Sequence, residues 1–102
     1  MSRTLHHPAR EAIALTDVLH ALADPVRLEI VRTLAQESGC ERRCGAFGLS
    51  VSKSTRTHHF RVLRESGLIE QASEGTAVVN RLRRADLDAR FPGLIESVLR
   101  AA

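Results

Sequence analysis

The feature that most constrains the fold of this chain is a helix with clear ends that leads directly into a β-hairpin. Ser52 or Ser54 can cap the start of the helix, because a side-chain oxygen there accepts a hydrogen bond from a free backbone N–H. Gly67 is a natural stop, since glycine adopts the left-handed conformation that ends many helices. Residues 68–82 then form two short runs around a Glu-Gly turn, the second rich in β-branched side chains. This pattern predicts a hairpin immediately after the helix.

The rest of the chain is predicted to be mainly helical. Apolar spacing favours one helix from Ile13 to about Ala23 and a second that starts at Asp24-Pro25 and ends near Gly39. Three glycines between 39 and 48 limit any helix there to a short one. A last helix follows the hairpin, and Pro92 is expected to start or kink it. We therefore predict a mainly α chain with one β-hairpin, arranged as a winged helix-turn-helix, with an N-terminal arm at 1–12 and the domain at 13–102.

Length and composition exclude several classes of protein. A chain of 102 residues is predicted to form one domain, and no apolar run is long enough to cross a membrane or to act as an export signal. A cytoplasmic location follows as an expectation. Three phenylalanines are the only aromatic residues besides histidine, too few for a platform that stacks single-stranded bases. No nucleophile–histidine–acid set or phosphate-binding loop is present, so we do not expect an enzyme.

Positive charge is concentrated in one third of the chain. Residues 52–84 hold seven lysines and arginines against three acids, whereas residues 1–51 are balanced and residues 85–102 are slightly acidic. A local basic excess is what binding to a phosphate backbone requires. The alternative is a solvated basic face without a partner.

Two segments resemble the ArsR/SmtB-type regulators. Residues 21–31, ALADPVRLEIV, are similar to the opening motif of that family, and residues 52–69, SKSTRTHHFRVLRESGLI, are similar to its recognition helix and the entry to its wing. The resemblance covers about residues 15 to 84. It implies a dimeric repressor that leaves a DNA operator when an inducer is sensed.

The predicted helix fits a major groove of duplex DNA, with its first turns at the base edges. Its first turns supply short donors and acceptors from Lys53, Ser54, Thr55, Thr57 and His58. Arg61 and Arg64 lie further along and are expected to contact phosphates. Arg81 and Arg83 lie behind the hairpin turn and are also expected to contact DNA. Phosphate contacts position a protein on DNA, whereas base contacts specify the sequence.

The neighbouring histidines 58 and 59 raise the alternative of a metal site. Adjacent helical side chains diverge by about 100°, so the two rings do not converge on one ion as an i, i+4 pair does. DNA contact or packing is the competing interpretation, and the resemblance places His59 at a position that is mainly structural. A second metal site of some family members, on the last helix, is excluded because no histidine follows His59.

Cys40 and Cys44 are the only cysteines. If they lay on a helix, the two thiols would share a face, and the two arginines between them would favour thiolates, which suits redox sensing. A metal or metalloid would need a third ligand, from His6, His7 or a partner chain. The spacing departs from the Cys-x-Cys of metal-sensing family members. A thiol switch, a metal or metalloid site, and no sensing role all stay open, and no cofactor is assigned.

The last segment carries an apolar stripe at helical spacing. We expect its Leu87, Leu94, Ile95 and Val98 to form a homodimer interface together with the first helix, although packing within the chain alone would also bury them. A two-fold dimer would match a palindromic operator in double-stranded DNA. The competing function is a winged-helix protein–protein adaptor that does not bind DNA.

Overall fold

A computed structural model describes residues 5–36, 41–43 and 51–102 of the chain. Its helices are a short 3-10 turn at Arg10–Ala12, α1 at Leu15–Leu22, α2 at Pro25–Gln36, α3 at Lys53–Ser66, α4 at Arg84–Arg90 and α5 at Leu94–Ala101. Its strands are β1 at Glu41–Arg43, β2 at Ile69–Glu74 and β3 at Ala77–Leu82. The predicted order of helices, hairpin and C-terminal helical segment is confirmed. None of the helices in the described ranges has the length and apolarity that crossing a membrane requires.

The sheet is built on the predicted hairpin. β2 and β3 pair in antiparallel register from Ile69 opposite Leu82 to Glu74 opposite Ala77. The sequence did not predict β1, which pairs with the other edge of β3 and gives the order β1-β3-β2. The short helix expected between residues 40 and 51 is therefore wrong for 41–43, and the remainder of that expectation concerns residues outside the described ranges.

One core joins the helices to the base of the hairpin. It contains side chains from α1, α2, α3, the start of β2, the end of β3, and both C-terminal helices. Its fully buried members include Val18, Ile30, Leu63 and Ile69. Burial of a side chain of this size stabilises a fold by about 1.5–3 kcal/mol, so the base of the hairpin is part of the folded unit.

The C-terminal stripe is divided between two helices. The predicted single helix is interrupted at residues 91–93, where Gly93 has a φ of 82°. Leu87 on α4 and Ile95 on α5 are fully buried within the chain. Leu94 and Val98 are only partly buried against the same core. Half of the predicted dimer residues thus pack within one chain, which is the alternative that the apolar stripe left open.

The described part of the N-terminal arm contacts the domain. Arg10 forms an ion pair with Asp86 at 2.6 Å, and Arg83 donates a hydrogen bond to the Pro8 carbonyl at 2.7 Å. The hydrogen bond from Arg10, together with Arg83, holds the pKa of the Asp86 carboxyl below its ordinary value, although partial burial raises it. The division at residue 12 stays a prediction.

The end of α3 depends on a glycine. Gly67 has a φ of 90°, and its N–H closes the helix on the carbonyls of Arg64 and Leu63. A β-carbon at this position would lie 2.6 Å from Cγ1 of the buried Ile13. The chain before α1 therefore packs directly against the backbone at the end of α3.

We expect Gly67→Ala to lower the free energy of unfolding by about 2 kcal/mol or more, because it combines left-handed strain with overpacking. Gly93→Ala is the matched control, since Gly93 has a similar φ but open space where a β-carbon would lie. It should cost about 1 kcal/mol. Urea denaturation of both variants measures the difference. Equal costs would show that the close approach of Ile13 to Gly67 is unimportant.

Candidate nucleic-acid interface

The α3 helix presents one polar face to solvent. Its buried side is formed by His59, Phe60, Leu63 and Ser66. About 180° away around the helix lie exposed side chains of Ser54, Thr57, His58 and Arg61. All four are residues that the sequence analysis predicted to contact DNA. The acidic Glu65 is exposed on the same face, one turn beyond Arg61.

The start of α3 is fixed by Ser52. Its side-chain oxygen accepts the backbone N–H of Thr55 at 3.2 Å, and its hydroxyl lies 2.9 Å from the Thr55 hydroxyl. Thr57 donates its hydroxyl to the Lys53 carbonyl at 2.9 Å, which orients that side chain along the helix. The N-terminus of a helix carries partial positive charge, and Lys53 adds a full charge there. This end of α3 is suited to an anionic partner.

A buried arginine holds α3 against the two preceding helices. Arg27 on α2 is only 9% exposed. Its guanidinium donates to the Ala21 carbonyl at 2.7 Å and the His20 carbonyl at 3.3 Å, at the end of α1. It also contacts Nδ1 of His59 on α3 at 3.2 Å. Arginine has only donors, so Nδ1 accepts and the neutral ring carries its proton on Nε2.

Asp24 completes this arrangement at the start of α2. One carboxylate oxygen accepts the backbone N–H groups of Val26 at 2.9 Å and Arg27 at 3.0 Å, and it lies 3.8 Å from Nδ1 of His59. Burial raises the pKa of Asp24, but the hydrogen bonds and the charge of Arg27 outweigh burial and hold that pKa below its ordinary value. His59 is thus a packing residue, as the resemblance implied.

Three arginines that were predicted to contact DNA lie away from the polar face of α3. Arg64 is half-buried at the last turn and donates to Gln71 and to the His6 carbonyl. Arg83 is bonded to Asp86 and Pro8. Arg81 is exposed on β3, with Glu70 at 3.9 Å. Of these three, Arg81 is the one whose side chain is mostly exposed, at 55%.

Two structural residues were missed by sequence reasoning. Arg27 was noted only as part of a family motif. Its position three residues after the capping Asp24 is the sequence signal that could have indicated its structural role. Gln71, buried within β2, gave no signal because its partners lie on other elements, Arg64 on α3, Asn80 on β3 and His7 in the N-terminal arm.

Comparison with known proteins agrees with this geometry. The family described as "Bacterial regulatory protein, arsR family" matches residues 24–71, from the Asp24 cap to Gln71 in the hairpin. The "Uncharacterized HTH-type transcriptional regulator YceK" of Bacillus subtilis is 35% identical over 83 residues, which cover 79% of this chain and 82% of that protein. The chain belongs to the arsR family of bacterial regulatory proteins.

Solved structures of similar regulators share its fold. A "possible transcriptional regulatory protein" from Mycobacterium bovis is 31% identical, with a TM-score of 0.65 over 84% of this chain and 90% of that one. The transcriptional repressor BigR from Xylella fastidiosa is 28% identical, with a TM-score of 0.59 over 76% and 85%. The predicted winged helix-turn-helix fold is confirmed. This arsR-family chain is a transcriptional regulator of a kind that binds DNA, and it is not an enzyme.

Cys40 and Cys44 lie outside the described residues. The helical geometry that would place the two thiols on one face does not apply to the three residues between them, which form β1. Among the described side chains, no three histidine, cysteine or acidic groups are arranged to hold a metal ion. Thiol sensing, metal or metalloid binding, and the absence of a sensing role stay predictions from the sequence.

We expect Arg27→Met to lower the free energy of unfolding by about 2–4 kcal/mol, because the carbonyls at the end of α1 lose a charged donor. Arg100→Met is the control, since the Arg100 side chain is 79% exposed and pairs with Glu96 on its own helix. Its cost should stay within about 0.5 kcal/mol. Thermal or urea unfolding followed by circular dichroism measures both. An Arg27 variant as stable as the control would contradict the structural role of the buried guanidinium.

Proposed function

We propose that this arsR-family regulator is a homodimeric repressor that reads a palindromic operator in duplex DNA with α3. The observation that carries the proposal is the exposed face formed by Ser54, Thr57, His58 and Arg61. These side chains offer hydroxyl, imidazole and guanidinium groups over about two turns of one helix. Such groups form hydrogen bonds with base edges in a major groove.

Phosphate contacts are assigned to the cations around that face. Lys53 at the start of α3 and Arg61 further along are both exposed, and neither has an ion pair among the described residues. Ser54 and Thr55, in the first turn of α3, are assigned to the same DNA-contacting set. Arg81 on the hairpin is the candidate for a contact outside the groove. Each phosphate contact releases a counterion, so affinity should fall steeply with salt concentration.

Repression is the regulatory direction that we propose. It is supported by the similarity to BigR, a protein described as a transcriptional repressor. A repressor acts by occupying its operator, and a winged helix-turn-helix domain is sufficient for that action. Release by a signal at Cys40 and Cys44 remains part of the proposal, with thiol oxidation and metal or metalloid binding as its two chemical forms.

Dimerisation is supported by exposed apolar side chains. Leu15 and Leu19 lie one turn apart on α1 and are each 45% exposed, unlike the other large apolar side chains of the described residues. Leu94 and Val98 on α5 are partly exposed, and we assign them with the two leucines to the interface. Leu87 and Ile95 are left out because they are fully buried within one chain. A two-fold dimer would present two α3 helices to half-sites about one helical turn of DNA apart.

We expect Leu19→Glu to give monomers, because it places a charge in an apolar interface without touching the core of the chain. Thr76→Glu at the exposed hairpin tip is the control and should remain dimeric. Sedimentation velocity distinguishes the two states. A dimeric Leu19 variant with unchanged affinity between protomers would place the interface elsewhere.

We expect the double substitution Thr57→Ala with His58→Ala to weaken specific operator binding at least about tenfold, since good base contacts contribute about 1–3 kcal/mol each. Thr16→Ala with His20→Ala changes the same residue types at exposed positions on α1 and is the matched control. Operators selected from random duplexes and measured by fluorescence anisotropy provide the affinities. Full affinity in the α3 variant would exclude base reading by these residues. A folded wild-type protein that retains no duplex at low salt would favour the protein–protein adaptor.

A further inference from the structure

The last turn of the recognition helix is bonded to the hairpin by a buried polar chain. Arg64 donates through Nη1 to Oε1 of Gln71 on β2 at 2.8 Å. Gln71 is 7% exposed, and its Nε2 donates to Oδ1 of Asn80 on β3 at 2.8 Å. Asn80 is fully buried and lies opposite Gln71 in the strand register. One arginine of α3 is therefore connected through hydrogen bonds to both strands of the hairpin.

The N-terminal arm also forms hydrogen bonds with Arg64 and Gln71. The Nε group of Arg64 donates to the His6 carbonyl at 3.2 Å. The backbone N–H of Gln71 donates to Nε2 of His7 at 2.9 Å, and Nδ1 of His7 lies 3.0 Å from the Leu5 carbonyl. A carbonyl only accepts, so Nδ1 donates and Nε2 accepts, and the neutral imidazole satisfies both partners. His7 thereby pairs with a backbone group at the free edge of β2.

The hairpin needs such an anchor because its outer half lacks packing. Side chains from Ala72 to Thr76 are exposed, whereas Ile69 and Leu82 at the base are buried in the core. β1 pairs with residues 79–81 of β3, so the sheet has three strands at that level and only two toward the tip. A two-stranded ribbon is marginally stable alone, so the angle of the tip to α3 depends on contacts nearer the base. Gln71 and Asn80 are the polar contacts at that level.

We propose that Arg64, Gln71 and His7 are positioning residues that fix the hairpin at one angle to α3, and that Arg64 does not bind phosphate. The proposal rests on the DNA-binding function proposed above. If Arg64 turned toward DNA, the buried Oε1 of Gln71 would lose a hydrogen bond from a charged donor, and such charge-assisted hydrogen bonds are among the stronger ones in proteins. Arg64 therefore acts on the operator through the hairpin, whereas Arg61 acts on it directly.

The salt dependence of operator binding separates the two roles. Arg61→Met should lower the slope of log affinity against log salt by about one, as expected for one lost phosphate contact. Arg64→Met should weaken binding about tenfold with the slope unchanged, because it disturbs geometry rather than charge. A slope lowered by about one in the Arg64 variant would overturn the proposal.

A double-mutant cycle tests whether Arg64 acts through the hairpin. The losses of operator affinity in Arg64→Met and Arg81→Met should be non-additive. Once the hairpin is displaced by the first substitution, Arg81 no longer reaches DNA, so its removal costs little further affinity. Additive losses would overturn the proposal, since independent contacts add. Both variants are compared at equal folded fraction, established by unfolding curves.

The arm provides a test that does not depend on DNA. Amide hydrogen exchange of Gln71 in the free protein should become faster in His7→Ala and stay slow in His7→Gln, whose side-chain oxygen can accept the same N–H. His6→Ala is the matched control, because only the backbone carbonyl of His6 takes part. Unchanged exchange in His7→Ala would overturn the arm's role. A wild-type protein that fails to bind duplex DNA would reject the proposed function while this measurement still decides the positioning.

Discussion

The arrangement of the helices depends on one buried guanidinium. Arg27 bonds the end of α1 and contacts His59 on α3, while its own backbone N–H is held by Asp24. Burying an unpaired charge would destabilise the fold. Here the guanidinium of Arg27 donates to two backbone carbonyls and to the His59 ring, and these hydrogen bonds offset the cost of burial. The same contacts hold His59 on the buried face of α3, next to the apolar Phe60 and Leu63. The polar face that we assign to DNA lies on the opposite side of the helix from this interaction.

The hairpin is attached by a different kind of contact. Its base is apolar and shares the core, but its orientation relative to α3 involves amide and guanidinium groups whose geometry is directional. Apolar packing tolerates small rotations, whereas a hydrogen bond weakens steeply once its angle is lost. If α3 and the hairpin meet a rigid duplex together, as we propose, both elements gain from the directional contact. The arm adds to it from the outside, through His7.

Local patterns predicted the elements whose causes are local. The Ser52 cap, the Gly67 stop and the two-stranded hairpin each depend on neighbouring residues, and all three are observed. β1 was missed because a three-residue strand is specified by its pairing with β3 and not by its own sequence. The interruption after α4 was anticipated only as a start or kink at Pro92. For the site, exposure on α3 followed from helical periodicity, but the internal roles of Arg64 and Arg83 depend on partners 58 and 75 residues away along the chain.

Several arginines in this fold donate hydrogen bonds to backbone carbonyls of other segments. Arg27, Arg64, Arg83 and Arg90 each donate to a main-chain carbonyl, of Ala21, His6, Pro8 and Ile13 respectively. The chain has fourteen arginines and a single lysine, at position 53. A planar fork with five donors can serve two acceptors at once, which an ammonium on a flexible stem does less well. Much of the basic composition is thus architectural. These arginines keep their charge, but their donors are directed to the backbone rather than to an anionic partner. An arginine-to-lysine exchange at these positions would preserve net charge while loosening the fold.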